Sequence, residues 1–335
     1  AAAAQAAPLA AAWPSPGRSS RSVVASGGGG GASDARVRRG ELPTGTSFVG
    51  EWLHQRAHGH GRCSYPDGST HEGQWAFGVP HGRGVERLGD GQRYEGQFFG
   101  GVRCGFGKLS GSTGSSWYEG YFFDDKFHGE GTSALLDGCR YDGQFRAGLP
   151  DGVGRAAWPN GDIFEGCFQR GLYHGGGKLK CADDSTFAGQ WDLGAQRGTM
   201  TETHGDGTWY IGQFAQGRRA GRGRLMDAHL AVYEGDFKNG CMHGSGCFTW
   251  FDGCSYKGHF LRGRFQGQGM LTWPDGSSYR GAFKQGRQHG HGELHDASGH
   301  CWVGAWQLGR TLRLALREPG AGPAAGALTG AAAAG

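Results

Sequence analysis

Along most of the chain, aromatic and glycine positions alternate with polar ones at period two, in short runs broken by turn residues. In Tyr233-Glu234-Gly235-Asp236-Phe237, residues 233, 235 and 237 share one face of an extended strand, so two rings flank a glycine there. The run Gly244-Ser245-Gly246-Cys247-Phe248-Thr249-Trp250 likewise collects Gly244, Gly246, Phe248 and Trp250 on one face. Asn239-Gly240 separates the two runs and Asp252-Gly253 follows the second, both pairs that accept the positive φ of a tight turn. The pattern therefore predicts hairpins, with bare glycine backbone leaving room for rings from neighbouring strands.

This hairpin recurs. The glycine of the pattern aromatic-acid-Gly-x-aromatic falls at Gly50, Gly73, Gly96, Gly120, Gly143, Gly166, Gly189, Gly212, Gly235, Gly258, Gly281 and Gly304, and ten of the eleven steps are 23 residues. The remaining step is 24, with the extra residue between Gly114 and Tyr118. A Gly-x-Gly follows ten of the twelve anchors at nine and eleven residues, often led by histidine, and an Asp-Gly or similar pair commonly follows at seventeen and eighteen. One hairpin cannot stand alone in water, but stacked hairpins form a continuous sheet. The expected fold is all-β: an elongated single-layer antiparallel sheet of about twelve stacked 23-residue β-hairpin repeats, twisted, with flexible termini. Two strands per unit at ~4.8 Å give a rise of roughly 9.6 Å per repeat and a span on the order of 110 Å. The array is expected over residues 45–317. Residues 1–44 and 318–335 are rich in Ala, Gly, Ser and Pro and are expected to be flexible.

Tyr-Glu-Gly-x-Trp/Phe, then His-Gly-x-Gly, then Asp-Gly, at a 23-residue step, resembles the MORN repeat (membrane occupation and recognition nexus) over residues 46–316. Departures from the pattern predict local distortion or a bulge: Met200 for the second glycine of Gly-x-Gly, Asp183-Asp184 for Asp-Gly, and His229-Leu230 before the ninth unit. The last unit lacks Gly-x-Gly and alternates Leu312, Leu314 and Leu316 with Arg313 and Arg317, as expected of a capping strand with charges on one face. The resemblance implies a scaffold or docking role, in cytoskeletal, ciliary or membrane-junction assemblies, or beside a lipid-kinase or methyltransferase domain.

Composition narrows the classes. Glycine supplies 70 of 335 residues, but without the every-third-residue period of collagen, and the 12% aromatic content argues against disorder. A net charge of +4 is too small to imply a nucleic-acid protein. The nine cysteines form no CxxC pair, so reduced thiols in an intracellular protein are expected. No run of eighteen apolar residues is present, and the apolar residues 1–12 lack the basic flank of a signal peptide.

Candidate chemistry mostly dissolves into the repeat. Histidines at 58, 81, 128, 174, 243 and 289 occupy one slot, but equivalent slots roughly 9.6 Å apart cannot share an ion whose ligands stand ~2 Å away, so packing is the expected role. The glycine strings lack the helix and lysine of a nucleotide loop, and Cys139 and Cys254, in one phase but five repeats apart, cannot meet. No catalytic residue, cofactor or metal is expected. Charge is more informative. The residue before the anchor glycine is acidic in six units but becomes Lys257 and Arg280 late in the array. The candidate residues for an anionic partner are Arg218, Arg219, Arg222, Arg224, Lys257, Arg262, Arg264, Arg280, Lys284 and Arg287. The expected partners are proteins, a second copy of the chain, or anionic phospholipid. Nucleic acid and small-molecule substrates are not expected. The expected location is the cytoplasm, at the cytoskeleton, a cilium or a membrane surface. The alternatives are a targeting module of an enzyme such as a phosphatidylinositol phosphate kinase, and a peripheral tether to anionic membranes.

Overall fold

The computed structural model describes residues 22–24, 36–41 and 45–317. Among them are twenty-five strands and no helix, each strand antiparallel to its chain neighbours wherever the pairing is defined. Among the described residues no helix is long and apolar enough to cross a membrane. The chain divides into two units, residues 1–196 and 197–335, each an open antiparallel sheet.

Within a unit the repeat alternates seven-residue and nine-residue strands, such as Val232–Lys238 and Cys241–Thr249. The second strand begins three residues before the glycine string that marks it in the sequence. Asn239 (φ 51°) and Gly240 (φ 82°) make the two-residue turn between them, the mirror-image form that suits strand twist. Tyr233 pairs with Phe248 and Gly235 with Gly246. The register then shifts, so that Asp236 faces His243.

That shift is a β-bulge, built into well-formed units as well as the last one, which lacks Gly-x-Gly. It leaves one amide without a ladder partner, and in several units the residue after the anchor glycine supplies one. Gln74 Oε1 accepts from the Arg83 amide (2.7 Å), Gln144 Oε1 from Val153 (3.1 Å) and Asp236 Oδ2 from Ser245 (3.1 Å). The off-pattern turns, by contrast, keep the common geometry. Asp184 (φ 62°) and Leu230 (φ 61°) take the glycine conformation, and their amides donate to Cys181 and Asp227 as Gly68 donates to Tyr65. The expected local distortion is absent there because the five-residue turn is held by its own backbone hydrogen bonds.

The core is the ring-over-glycine contact. A β-carbon on Gly246 would lie 2.5 Å from the Tyr233 ring, and the Tyr233 hydroxyl donates to the Asp236 carbonyl (2.9 Å). Edge-to-face contacts join each ring to the next, as in Tyr233–Phe237 (5.1 Å) and Tyr233–Phe260 (4.9 Å). A second slot, seven residues after the anchor, lies flat on the same tyrosine position. It is filled by a ring in Tyr118–Phe127, Phe164–Tyr173 and Tyr256–Phe265, with centroids 3.7–3.9 Å apart. Arg103 and Arg219 take this slot over Tyr94 and Tyr210.

At the start, Arg36–Glu41 is a strand paired along its whole length with Ser47–Leu53, so sheet pairing reaches into the segment that composition placed before the array. Val23 is also fully buried, in one apolar cluster with Phe48, Trp52 and Ala57 of the first hairpin. The remainder of 1–44, and all of 318–335, lie outside the described residues. At the other end Arg310–Leu316 pairs with Cys301–Gln307 and is exposed at every position, an edge strand with Arg313 facing Ala305.

Candidate docking edge

The two-residue turns line one edge of each sheet. In the second unit they are Ala215–Arg218, Lys238–Cys241, Leu261–Arg264, Lys284–Arg287 and Gln307–Arg310, counted from the last residue of one strand to the first of the next. These five turns carry seven cations and no carboxylate: Arg218, Lys238, Arg262, Arg264, Lys284, Arg287 and Arg310, all exposed. Successive turns are tied together. The amides of Gly240, Gly263, Gly286 and Gly309 donate to the carbonyls of Arg219, Met242, Phe265 and Gln288 in the preceding hairpin, at 2.8–3.0 Å. The cations are thereby held in a row rather than scattered. The turns of the first unit differ: Phe77, Phe99 and Phe123 are exposed there, Asp124 and Asp125 sit among them, and His58, His81 and His128 pack against the phenylalanines at 5.2–6.0 Å.

The ten cations singled out in the sequence thus separate into three groups. Arg218, Arg262, Arg264, Lys284 and Arg287 are on the turn edge. Arg222, Arg224, Lys257 and Arg280 are on the open face of the sheet, opposite the rings. Arg224 pairs with Glu234, and beyond it Lys257 pairs with Cys247 and Met270, and Arg280 with Met270 and Glu293. On that face Arg222 Nε stands 3.8 Å from Asp236, and the Arg224 guanidinium covers the Trp209 ring at 5.7 Å. Arg219 belongs to neither. Its guanidinium is in the core, 2.9 Å from Glu202 and 4.8 Å from the Tyr210 ring centre, so it is unavailable to a partner. Lys238 and Arg310 were missed by reading consecutive runs of charge. Repeat phase would have found them, because Lys238 stands three residues after its anchor, as Lys284 does, and Arg310 six after, as Arg218, Arg264 and Arg287 do.

Both units have a shallow groove on the open face. One of about 970 Å³ is bordered by Arg62, Glu72, Arg83, Glu95 and Lys108, and one of about 1030 Å³ by Ile211, Arg222, Arg224, Lys257 and His259. Charge on this face is balanced in the first unit, where Lys108 meets Glu119 and Arg155 meets Glu165, each at 3.0 Å. In the second unit, apolar Ile211 and Met270 alternate with the cations. Burial first, and nearby aspartates second, push the Cys139 and Cys181 thiols up to about 11, away from the reactive thiolate.

The family model for the MORN repeat matches ten stretches: 48–70, 71–93, 94–116, 118–140, 141–163, 164–186, 210–228, 233–255, 256–278 and 279–301. The chain belongs to the MORN repeat family. MORN repeats generally serve as protein-binding or membrane-targeting modules. The matches leave out residues 187–209, the unit in which Met200 replaces a glycine. No curated protein matches the chain. Among solved structures it is similar to the Drosophila melanogaster SAS-4 TCP domain, in complex with a proline-rich motif of Ana2, at 14% identity over 46% of this MORN chain and 84% of that one, with a TM-score of 0.29. It is also similar to the TCP10 domain of Danio rerio CPAP, at 10% identity over 83% and 99%, with a TM-score of 0.21.

Proposed function

We propose that this MORN array is a non-catalytic docking scaffold whose second unit holds an acidic protein segment along its basic turn edge. One observation carries the reading: five consecutive turns, bonded to one another in register, present seven exposed cations and no carboxylate. An extended acidic segment fits such an edge, since successive turns roughly 10 Å apart match about three residues of extended chain. The non-catalytic part rests on repeat register, because each histidine slot and glycine string recurs at a position that sibling units use for packing. The assembly served is cytoplasmic: cytoskeletal, ciliary or peripheral to a membrane.

The test uses the full chain with a labelled polyglutamate peptide, read by fluorescence anisotropy, and in parallel with phosphatidylcholine vesicles with and without phosphatidylserine. Saturable peptide binding is expected, falling steeply with salt. Glutamine at Arg262, Arg264, Lys284 and Arg287 should abolish most of it, whereas Arg222→Gln with Arg224→Gln should leave it nearly intact. Binding only to phosphatidylserine vesicles would replace the protein partner with a lipid surface. Peptide binding indifferent to the edge variants would overturn the assignment.

A further inference from the structure

The last full hairpin departs from its siblings at three adjoining positions on the open face. Where three sibling units pair serine with threonine, Ser64 with Thr70, Thr249 with Ser255 and Thr272 with Ser278, this one pairs His295 with Cys301. Glu293, two residues before His295, points to the same face by strand periodicity. The carboxylate oxygen, imidazole nitrogen and thiol sulfur all lie within 4.8 Å of one another, and all three residues are half-buried. Ligand atoms around a tetrahedral zinc stand roughly 3.5 Å apart, so side-chain rotation alone closes the set. The Arg317 guanidinium holds the Glu293 Oε1 atom at 3.0 Å, while its Oε2 faces the His295 Nε2 atom at 3.9 Å.

The geometry points to a divalent transition-metal site formed by Glu293, His295 and Cys301, independent of the docking edge. One oxygen, one nitrogen and one sulfur donor suit zinc or cobalt(II) rather than calcium or magnesium, which take oxygen alone. Three protein ligands leave a fourth position open to water or to a donor from a bound partner. Cys301 binds as the thiolate, its proton passing to solvent, so binding strengthens as pH rises. Arg317 acts from outside the ligand set, fixing the carboxylate. Sequence spacing hid the site because a hairpin turn separates His295 from Cys301. The repeat phase exposes it, since the paired slots that sibling units fill with no histidine, cysteine or carboxylate carry two ligands here.

The test is titration of the reduced full chain with cobalt(II) alone, followed by zinc competition against a chromophoric chelator. A stoichiometric site with a cobalt–thiolate charge-transfer band is expected, displaced by zinc. Cys301→Ser, His295→Thr and Glu293→Met each install a residue that a sibling unit carries at that position, so folding should survive and circular dichroism checks it. Cys301→Ser should remove the thiolate band at this stoichiometry, and each of the others should weaken zinc binding by at least about tenfold. Eight other cysteines are present, so the comparison with Cys301→Ser decides the matter. An unchanged band and stoichiometry in Cys301→Ser, or no high-affinity cobalt in the parent chain, overturns the site.

Discussion

At Gly258 a methyl group would stand 2.5 Å from the Tyr256 hydroxyl and 2.7 Å from the Gly269 backbone, and neither can retreat because the glycine ladder and the ring are stacked on each other. Gly258→Ala should therefore cost about 1–3 kcal/mol, read as a lower urea midpoint, while Gly276→Ala, which meets only open space, should cost little beyond the strain of its positive φ. A second single-residue case is His71, which sits where Tyr94, Tyr118 and Tyr141 sit in other units. The side chain is 1% exposed, makes edge-on contacts to Trp75 and Phe98, and neither ring nitrogen has a hydrogen-bond partner. Burial holds it well below the ordinary histidine value, at about 4 rather than 6.5. Protons are thus taken up by the unfolded chain first. Stability is whole above pH 6.5, declines as pH falls toward 4, and loses about 3 kcal/mol across that window. His71→Tyr should flatten the decline, since a tyrosine there can donate to the Gln74 carbonyl as Tyr94 does to Gln97. An unaltered pH slope in that variant would place the titrating group elsewhere.

Between neighbouring strands, the slot that lies on the tyrosine ring takes either a ring or a charge pair. Arg103 is fully buried, stacked on Tyr94, with Nε and Nη2 on the Glu86 carboxylate at 3.0 and 2.6 Å. Arg219 and Glu202 repeat the arrangement at the same phase. Sibling hairpins put Leu109 or Leu179 at the Glu86 position and Met242 at the Arg103 position, so the pair is an interchangeable plug rather than a requirement of the fold. Arg103→Met alone leaves a buried carboxylate unpaired and should cost about 3–5 kcal/mol, whereas Arg103→Met with Glu86→Leu should recover most of that. Additive losses in a double-mutant cycle by urea denaturation would refute the coupling. At this scale the strands, their faces and the ring-over-glycine contact were legible in the sequence, because period-two alternation and Asn-Gly turns report directly on pleat and turn geometry. The bulge was not, since it recurs whether Gln74, Cys167 or Ala282 follows the anchor glycine, and no local pattern announces it. The strand Arg36–Glu41 was hidden too, its Arg- and Gly-rich composition resembling a linker while its pairing depends on the partner strand.

Across each whole unit, charge follows repeat phase, not sequence runs. The run Arg218-Arg219-Ala220-Gly221-Arg222-Gly223-Arg224 looks like one basic patch, yet the fold sends Arg218 to the turn edge, Arg219 into the core and Arg222 and Arg224 to the open face. The cations themselves were readable in the sequence, but their grouping was not, because a strand parts consecutive side chains and a hairpin unites residues 23 apart. This grouping has a measurable consequence. Two strands at ~4.8 Å put cations of successive turns roughly 10 Å apart, beyond the ~8 Å Debye length at physiological salt. Each then acts on a bound acidic segment nearly independently, with no central residue dominating. Lys238→Gln, Arg264→Gln and Arg287→Gln should each weaken polyglutamate binding by a similar modest factor, on the order of 0.5–1 kcal/mol, and pairs of them should sum. Arg219→Gln should instead lower thermal stability, because its partner is Glu202. The measurement is anisotropy titration of singles and doubles at fixed ionic strength. One substitution that alone removes nearly all binding would mean a focused pocket in place of a distributed edge, and the row of turns would lose its role.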